Sequence, residues 1–408
     1  MIIASSGILM DALRQHDLLT TRQLTELPHL APERRGDVRP LAKALIQKGW
    51  LTVYQVNQLL AGNGRELAIG PYHVIDKLGQ GGLSTVYQAR HREHKSLVAI
   101  KIIKPEVFAS AEGRAQFLQE VEAMARLDHA NIVQFCDADQ WQDTYYFAME
   151  YIEGTDLGKV VRLSGALPIH EACDYIRQAA MGLQHAYERN LVHRDIKPVN
   201  LFLTLTPSVP GKTGLRQVAM SNATMLMKPL IKILDWGLAS TRTPKGTVNQ
   251  RPLDNVGKSV VGTADYLSPE QACNANTVDI RGDIYSLGCS LYYLLTGQAP
   301  FPDGTLMHKI MQHQQAEPRP LDSFRGDVPA PVAAILKRMM AKTPADRFQT
   351  PASAALALMP FTRRTALLPM MSSNVPTASR TRDDTPIPPP LAGVNVHVYR
   401  SDDTSGPQ

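Results

Sequence analysis

The sequence predicts an α+β chain in which a small β-rich region is followed by a larger, mostly helical one, with a small helical module ahead of both. Three observations carry this. Leucines recur at spacings of three and four through residues 1–65, short runs of β-branched and aromatic residues broken by glycine and charge begin at Tyr72, and helical texture returns after about Gly154. At 408 residues, with 44% hydrophobic and 20% charged, the composition is ordinary for a globular chain with room for two or three domains.

In the leader, Leu18, Leu19, Leu24 and Leu27, then Leu41, Leu45, Trp50, Leu59 and Leu60, line up as buried helix faces require. Thr20 with Gln23, and Thr52 with Gln55, match the capping box, in which a hydroxyl and an amide satisfy orphan backbone donors. LTTRQLTEL and LTVYQVNQL share Leu, Thr, Gln and Leu in register, a weak internal repeat. Such a module either binds a partner or packs on the rest of the chain. YHVIDKL, STVYQAR and LVAIKII then read as strands of an antiparallel sheet, and residues from about Ala111 to Leu127 as a helix. The segments EACDYIRQAAMGLQHAYE, DIYSLGCSLYYLLTG and APVAAILKRMM supply the later helices. Residues 362–408 turn to Pro, Ser, Thr and charge, too poor in apolar side chains to offset their ordering entropy, and are expected to be disordered.

Several function classes are disfavoured. The formal charge of +5 is modest and the basic residues are scattered, so no nucleic-acid face is expected. Cys136, Cys173, Cys273 and Cys289 lie far apart with no CxxC pair, which argues against a zinc site or a disulfide framework. MIIASSGILMDALRQHD lacks the basic region of a secretory signal, and the most apolar stretch, Ile284 to Leu295, is shorter than the roughly 20 residues of a membrane helix. A cytoplasmic protein without a transmembrane segment is the expectation.

The chemistry-bearing stretches are LGQGGLSTV (Leu78 to Val86), VAIK (Val98 to Lys101), a helix glutamate at Glu120, VHRDIKPVN (Val192 to Asn200), ILDWG (Ile233 to Gly237) and LSPE (Leu267 to Glu270). In that order the set resembles the serine/threonine protein kinases of the eukaryotic (Hanks) type, in their bacterial branch. The resemblance covers roughly Tyr72 to Phe361. It implies a two-lobed fold, with an N-lobe at 72–151 and a C-lobe at 152–361, and transfer of the γ-phosphate of ATP to Ser or Thr hydroxyls of protein substrates with Mg2+ present. The leader before the glycine loop and the sequence YLSPEQA are similar to those of bacterial members.

Phosphoryl transfer spreads charge over phosphate oxygens, so catalysis is mostly positioning and electrostatic stabilisation. On the resemblance, Leu78, Gly79, Gln80, Gly81, Gly82, Leu83, Ser84, Thr85 and Val86 fold over ATP, with Gly79 and Gly81 allowing close backbone approach. Ala99 borders the nucleotide, Lys101 grips the α and β phosphates, and Glu120 holds that lysine in an ion pair. Met149 stands at the gatekeeper position, Glu150 to Ile152 form the hinge that meets adenine, and Asp156 accepts from ribose hydroxyls. Asp195 accepts or orients the substrate hydroxyl proton, Lys197 reaches the moving phosphate as a point charge, and Asn200 and Asp235 hold Mg2+, a hard cation that takes oxygen ligands. Asp283 braces the catalytic loop, and Glu270 with Arg347 forms a buried ion pair; these are scaffold rather than chemistry. Lys197 and Thr263 mark the serine/threonine branch, while Arg194 suggests organisation by a phosphate on the activation loop, with Ser259 and then Thr247 as candidates.

Three departures bear on activity. Ser84 replaces the loop's third glycine and restricts the backbone. Trp236 replaces the usual phenylalanine and has to fill a stack with Met124, Phe135 and His193, an overpacking of roughly 1 to 3 kcal/mol unless neighbours are trimmed. The 34 residues between Asn200 and Asp235 carry an insertion at about 205–228, which the logarithmic loop-closure rule tolerates as a surface excursion. Ser84 and Trp236 favour the rival class, a pseudokinase scaffold; Lys101, Glu120, Asp195, Asn200 and Asp235 all oppose it.

Overall fold

The computed structural model describes residues 5–30, 37–81, 84–104, 118, 121–142, 144–207, 227–236, 240–241, 264–273 and 278–363. The leader folds as α1 (Ser6–Gln15), α2 (Thr21–Leu30), α3 (Val38–Gln47) and α4 (Val53–Leu60). Ser5, Asp37 and Thr52 start α1, α3 and α4 by accepting a first-turn N–H. Both expected capping boxes form: the Thr20 amide donates to Gln23 Oε1 (2.8 Å) and that of Thr52 to Gln55 Oε1 (2.9 Å), with the hydroxyls accepting in return.

The strands β1 (Ala68–Ile69), β2 (Tyr72–Gln80), β3 (Ser84–His91), β4 (Leu97–Ile103), β5 (Phe135–Trp141) and β6 (Thr144–Glu150) make one antiparallel sheet in the order β1-β2-β3-β4-β6-β5. Its period of two sorts side chains onto two faces. Val98 and Ile100, with their cross-strand neighbours Ala89 and Ala148, face the leader; Ala99 and Lys101, opposite Met149 and Phe147, face the other way. Leu9, Leu13, Leu27, Leu41, Leu45 and Leu59 are fully buried in the same core as Val74, Val98, Ile100 and Tyr146. At about 1.5–3 kcal/mol per buried leucine, this contact joins leader and sheet into one unit. The leader therefore packs on the sheet, as its sequence allowed.

The second lobe has its own core. It begins with β7 (Gly154–Asp156), α5 (Leu157–Ser164), α6 (Ile169–Tyr187) and β8 (Leu191–Val192), and continues through β9 (Leu201–Pro207), β10 (Met227–Ile233) and β11 (Ser240–Thr241). Helices α7 (Pro269–Cys273), α8 (Ile280–Thr296), α9 (Leu306–Gln315), α10 (Ala330–Met339) and α11 (Pro351–Leu358) complete it. The apolar stretch from Ile284 to Leu295 lies in α8, which is buried almost all round, as a helix without a polar face must be. Asp279 caps its start, and Gly297 ends it in the left-handed conformation at φ 78°. Among the described residues no helix is long and apolar enough to cross a membrane.

Three expectations need adjusting or fall elsewhere. The ends of the segment read as an insertion, at about 205 and 228, lie within paired strand, because β9 and β10 pair from Leu201↔Ile233 out to Pro207↔Met227, and residues 208–226 lie outside the described residues. Of the helix expected over 111–127, residues 121–125 are helical and most of the rest lies outside the described residues, as does the tail from 364 onward.

Candidate active site

The loop between β2 and β3 closes with the Gly81 amide donating to the Ser84 carbonyl at 2.8 Å. A Cβ built on Gly81 would meet nothing nearer than that carbonyl at 3.6 Å, so the chain's own packing does not demand glycine there, and the open space above the backbone is the feature the residue preserves. Ser84 opens β3 paired with Ile103 and is not among the side-chain-bearing residues with positive φ. The replaced glycine thus imposes no strain, contrary to the restriction expected of it. Gln80 pairs with Thr85, and Gly79 with Val86. Gly82 and Leu83 lie outside the described residues.

Lys101 projects from β4 on the face away from the leader, and its ammonium meets the Asp235 carboxylate. A strand of the first lobe and the segment after β10 in the second, 134 residues apart, are thereby brought to one point. The Lys101 ammonium beside Asp235 holds that carboxyl below its ordinary range, against the opposing effect of burial. About half of the Asp235 side chain stays open (48%) while that of Lys101 is largely covered (16%). Asp235 has φ 60°, a left-handed backbone that turns its carboxylate out of line with β10. The expected partner of Lys101, Glu120, lies outside the described residues.

Trp236 is buried, its ring 4.7 Å from that of His193 in an edge-on contact. Trp236, Met124, Phe135, Phe147 and Met149 line a cavity of about 30 Å³ that Lys101 and Asp235 also border. The stack is the one expected, but the overpacking is not: room remains beside the indole because Val133 and the flexible Met124 flank it. The indole N–H is buried without a partner.

The segment from His193 to Asn200 is held from beneath by Asp283 of α8. Its two carboxylate oxygens accept the amides of His193 and Arg194, both at 2.7 Å. Burial pushes the Asp283 carboxyl above its ordinary range, a tendency those amides and the neighbouring His193 and Arg194 charges oppose. Arg194 adopts φ 66° and its Nε is buried without a partner. Asp195 Oδ2 accepts from Lys197 Nζ (2.9 Å) and Asn200 Nδ2 (3.1 Å), and the same amide reaches the Asp195 carbonyl at 2.8 Å. Asp195 Oδ1 is buried with no partner. Lys197, expected on the moving phosphate, is thus seen bracing Asp195.

Asn200 adjoins Asp235, since the Leu234 amide donates to the Asn200 carbonyl at 2.9 Å. With its Nδ2 committed to Asp195, the Asn200 side chain has Oδ1 left to offer a cation. That oxygen and the Asp235 carboxylate, which Lys101 also meets, are both oxygen donors, the ligand type that a hard divalent cation takes.

At the hinge, the Glu150 carboxylate accepts from the Gln134 amide (2.8 Å) and Lys232 Nζ (2.5 Å), tying the end of β6 to β10. Asp156 is buried at 4% exposure and caps α5 by accepting the Lys159 amide at 2.7 Å, a duty not foreseen beside the ribose contact. Asn131 Nδ2 donates to the Ile231 carbonyl (2.8 Å), and the Ile231 amide to Gln178 Oε1 (2.9 Å), so a buried polar net fixes β10 just before Leu234 and Asp235. Sequence reasoning missed Asn131, Gln178 and Lys232. Only the Asn131 motif, DHANIV, carried a signal. Glu270 and Arg347 form the expected pair at 2.7 and 2.9 Å, with Arg347 wholly buried. Thr247, Ser259 and Thr263 lie outside the described residues.

A family model described as the protein kinase domain matches residues 72–358. Among curated relatives, the serine/threonine-protein kinase PknB of Mycobacterium leprae is 31% identical over 286 residues, which are 69% of this chain and 41% of that protein. PknB of Mycolicibacterium smegmatis is 31% identical over 293 residues, 69% of this chain and 42% of the relative. The chain thus spans about two fifths of the length of these relatives. Among solved structures, the kinase domain of Mycobacterium tuberculosis PknI matches with TM-score 0.52 and 26% identity, covering 72% of this chain and 97% of that one.

Proposed function

The chain belongs to the protein kinase domain family, and from that premise we propose that it is a serine/threonine protein kinase, transferring the γ-phosphate of ATP to Ser or Thr hydroxyls of protein substrates. The reading rests on Asp195: within a catalytic loop whose other polar atoms are largely paired, its Oδ1 is a buried acceptor without a partner, beside Lys197 and Asn200. A buried acceptor left open calls for a donor, and a substrate hydroxyl supplies one. Oδ1 then takes the hydroxyl hydrogen bond and orients the attacking oxygen, while Lys197 and Asn200 keep the carboxylate from rotating.

Lys101, set on a sheet strand, would offer its cation to phosphate oxygens of bound ATP, and Gly79 and Gly81 would let the glycine loop approach them. Asn200 and Asp235 are the residues that would hold Mg2+, which when bound neutralises phosphate charge. Glu150 to Ile152 are proposed to meet adenine through the backbone, which leaves the Glu150 carboxylate free for Lys232. The serine/threonine preference is supported by Lys197 and by the relatives' names, and a cytoplasmic setting by four free cysteines. The pseudokinase alternative loses its main support, because Ser84 and Trp236 both fit without distortion.

The test is radiolabelled phosphate incorporation, comparing wild type with Asp195→Asn and Lys101→Met. Each variant is expected to lose about 10²- to 10⁴-fold in rate, and chelation with EDTA to abolish incorporation. Equal labelling of all three proteins rejects the assignment.

A further inference from the structure

β2 carries the glycine loop, yet little of the sheet holds its outer edge. β1 pairs only with Tyr72 and His73. One residue further on, the β2–β3 ladder slips register between Val74 and Asp76, leaving Ile75 without a partner in β3, and it slips again between Lys77 and Gly79. Bulges of this kind bend and twist their strand, so the irregularity at Ile75, with the one at Lys77/Gly79, bears on the direction in which β2 carries Gly79 and Gln80 toward the loop at Gly81.

The carbonyls at that bulge are taken by the leader. Gln55 Nε2 donates to the Val74 carbonyl at 2.7 Å, and Thr52 Oγ1 to the Ile75 carbonyl at 2.6 Å. These are the two residues of the α4 capping box, so each both closes the helix and grips the strand. Gln55 is buried at 8% exposure. Val56 and Leu59 of the same helix share a core with Val74, and Tyr54 packs on Tyr87 of β3 with ring centroids 6.2 Å apart. A helix that only needed a cap would be served by a glutamate at position 55, because the cap uses only the oxygen. The amide nitrogen is required by β2 alone.

We propose that the leader is a built-in brace of the nucleotide loop, with Gln55 and Thr52 as positioning residues that hold the β2 bulge and thereby set affinity for the nucleotide phosphates. The inference rests on the reading of that loop as the phosphate site. Losing the grip lets β2 relax toward regular pairing and turns the loop amides away, which weakens binding while leaving Asp195 in place.

Gln55→Glu at pH 8 separates brace from cap: the carboxylate keeps the acceptor for the Thr52 amide but sets a lone pair against the Val74 carbonyl. Thr52→Ser keeps both contacts. In the full chain, Gln55→Glu is expected to weaken calorimetric binding of Mg·ADP about three- to tenfold, the worth of one hydrogen bond. Its kcat at saturating ATP should stay within about twofold of wild type, and Thr52→Ser should bind as wild type does. Unchanged Mg·ADP affinity in Gln55→Glu, with wild type binding normally, overturns the brace alone; a wild type that binds no Mg·ADP brings down the nucleotide reading and the brace with it. Should Gln55→Glu not fold, hydrogen exchange on the wild type decides, because coupling is reciprocal. Saturating Mg·ADP is expected to slow exchange across residues 53–60, and protection confined to the loop overturns the proposal.

Discussion

Asp283 offers the most direct measure of what holds the catalytic loop. Its carboxylate, 1% exposed, accepts two backbone amides at 2.7 Å each, those of His193 and Arg194. Arg194 sits at φ 66°, a conformation that costs an ordinary residue roughly 1 kcal/mol or more and persists only when its surroundings impose it. Asp283→Ala leaves both amides buried and unpaired, at about 1–3 kcal/mol apiece, so a loss of about 2–6 kcal/mol is expected, with release of the Arg194 strain returning part of it. Asp283→Asn keeps one oxygen and turns an NH2 group on the other amide, so about half that loss follows. Urea denaturation of the full chain reads the effect. Phosphate incorporation should fall with stability in the same order, since Asp195 follows directly on Arg194. An Asp283→Ala protein within about 1 kcal/mol of wild type would show that water or a shifted backbone replaces the carboxylate, and the bracing argument would fail.

Trp236→Phe relieves an unpartnered buried N–H, worth about 1–3 kcal/mol, but enlarges the adjoining cavity of about 30 Å³ at about 24 cal/mol per Å³ of added space. With roughly 40 Å³ opened, the cavity costs about 1 kcal/mol and opposes the gain, so the unfolding free energy should change by no more than about 2 kcal/mol and labelling should persist; a loss above about 3 kcal/mol would mean the indole contributes packing that the static contacts do not show. His313 is fully buried, its Nδ1 2.9 Å from the Tyr285 hydroxyl, and burial, with Lys342 nearby, pushes its pKa down to about 4. Because the unfolded chain takes up this proton near the ordinary value of about 6.5 and the folded chain does not, stability rises with pH between about 4 and 6.5. Acidification across that window should cost roughly 3 kcal/mol from this group, and His313→Gln should flatten the pH dependence there, as read from thermal midpoints at a series of pH values.

The residues proposed to carry the chemistry were legible in the sequence because the proposed reaction restricts their type. A cation for phosphate, an acceptor for the hydroxyl and oxygen donors for a metal leave few choices, and of the residues so proposed the fold brings Lys101 to Asp235 and Asn200 to Asp195. What supports them was less legible. Gln178 spends one oxygen on both the Asn131 side chain and the Ile231 amide, and no local pattern announces a glutamine whose partners are about 50 residues away. Asp156 reads equally as a ribose acceptor and as a helix cap, since a short carboxylate before a helix serves either purpose.

The packing of the leader is the instructive case, because its signal lay in the sheet. The capping boxes mark where α2 and α4 begin, but a cap is satisfied within its own helix and carries no information about a second contact. LVAIKII, by contrast, is apolar at both parities apart from Lys101. A strand with one face in water alternates apolar and polar side chains, whereas one covered on both faces reads as a continuous apolar run. Val98 and Ile100 point to one side and Ala99 and Lys101 to the other, where Lys101 meets Asp235 and the site is proposed. The first side therefore needed a cover, and the amphipathic helices ahead of Tyr72 were the unassigned apolar surface near enough in sequence to supply it. A sheet face that must be covered and a bulge whose carbonyls must be paired are both met by one helix, α4, through its leucines and its cap.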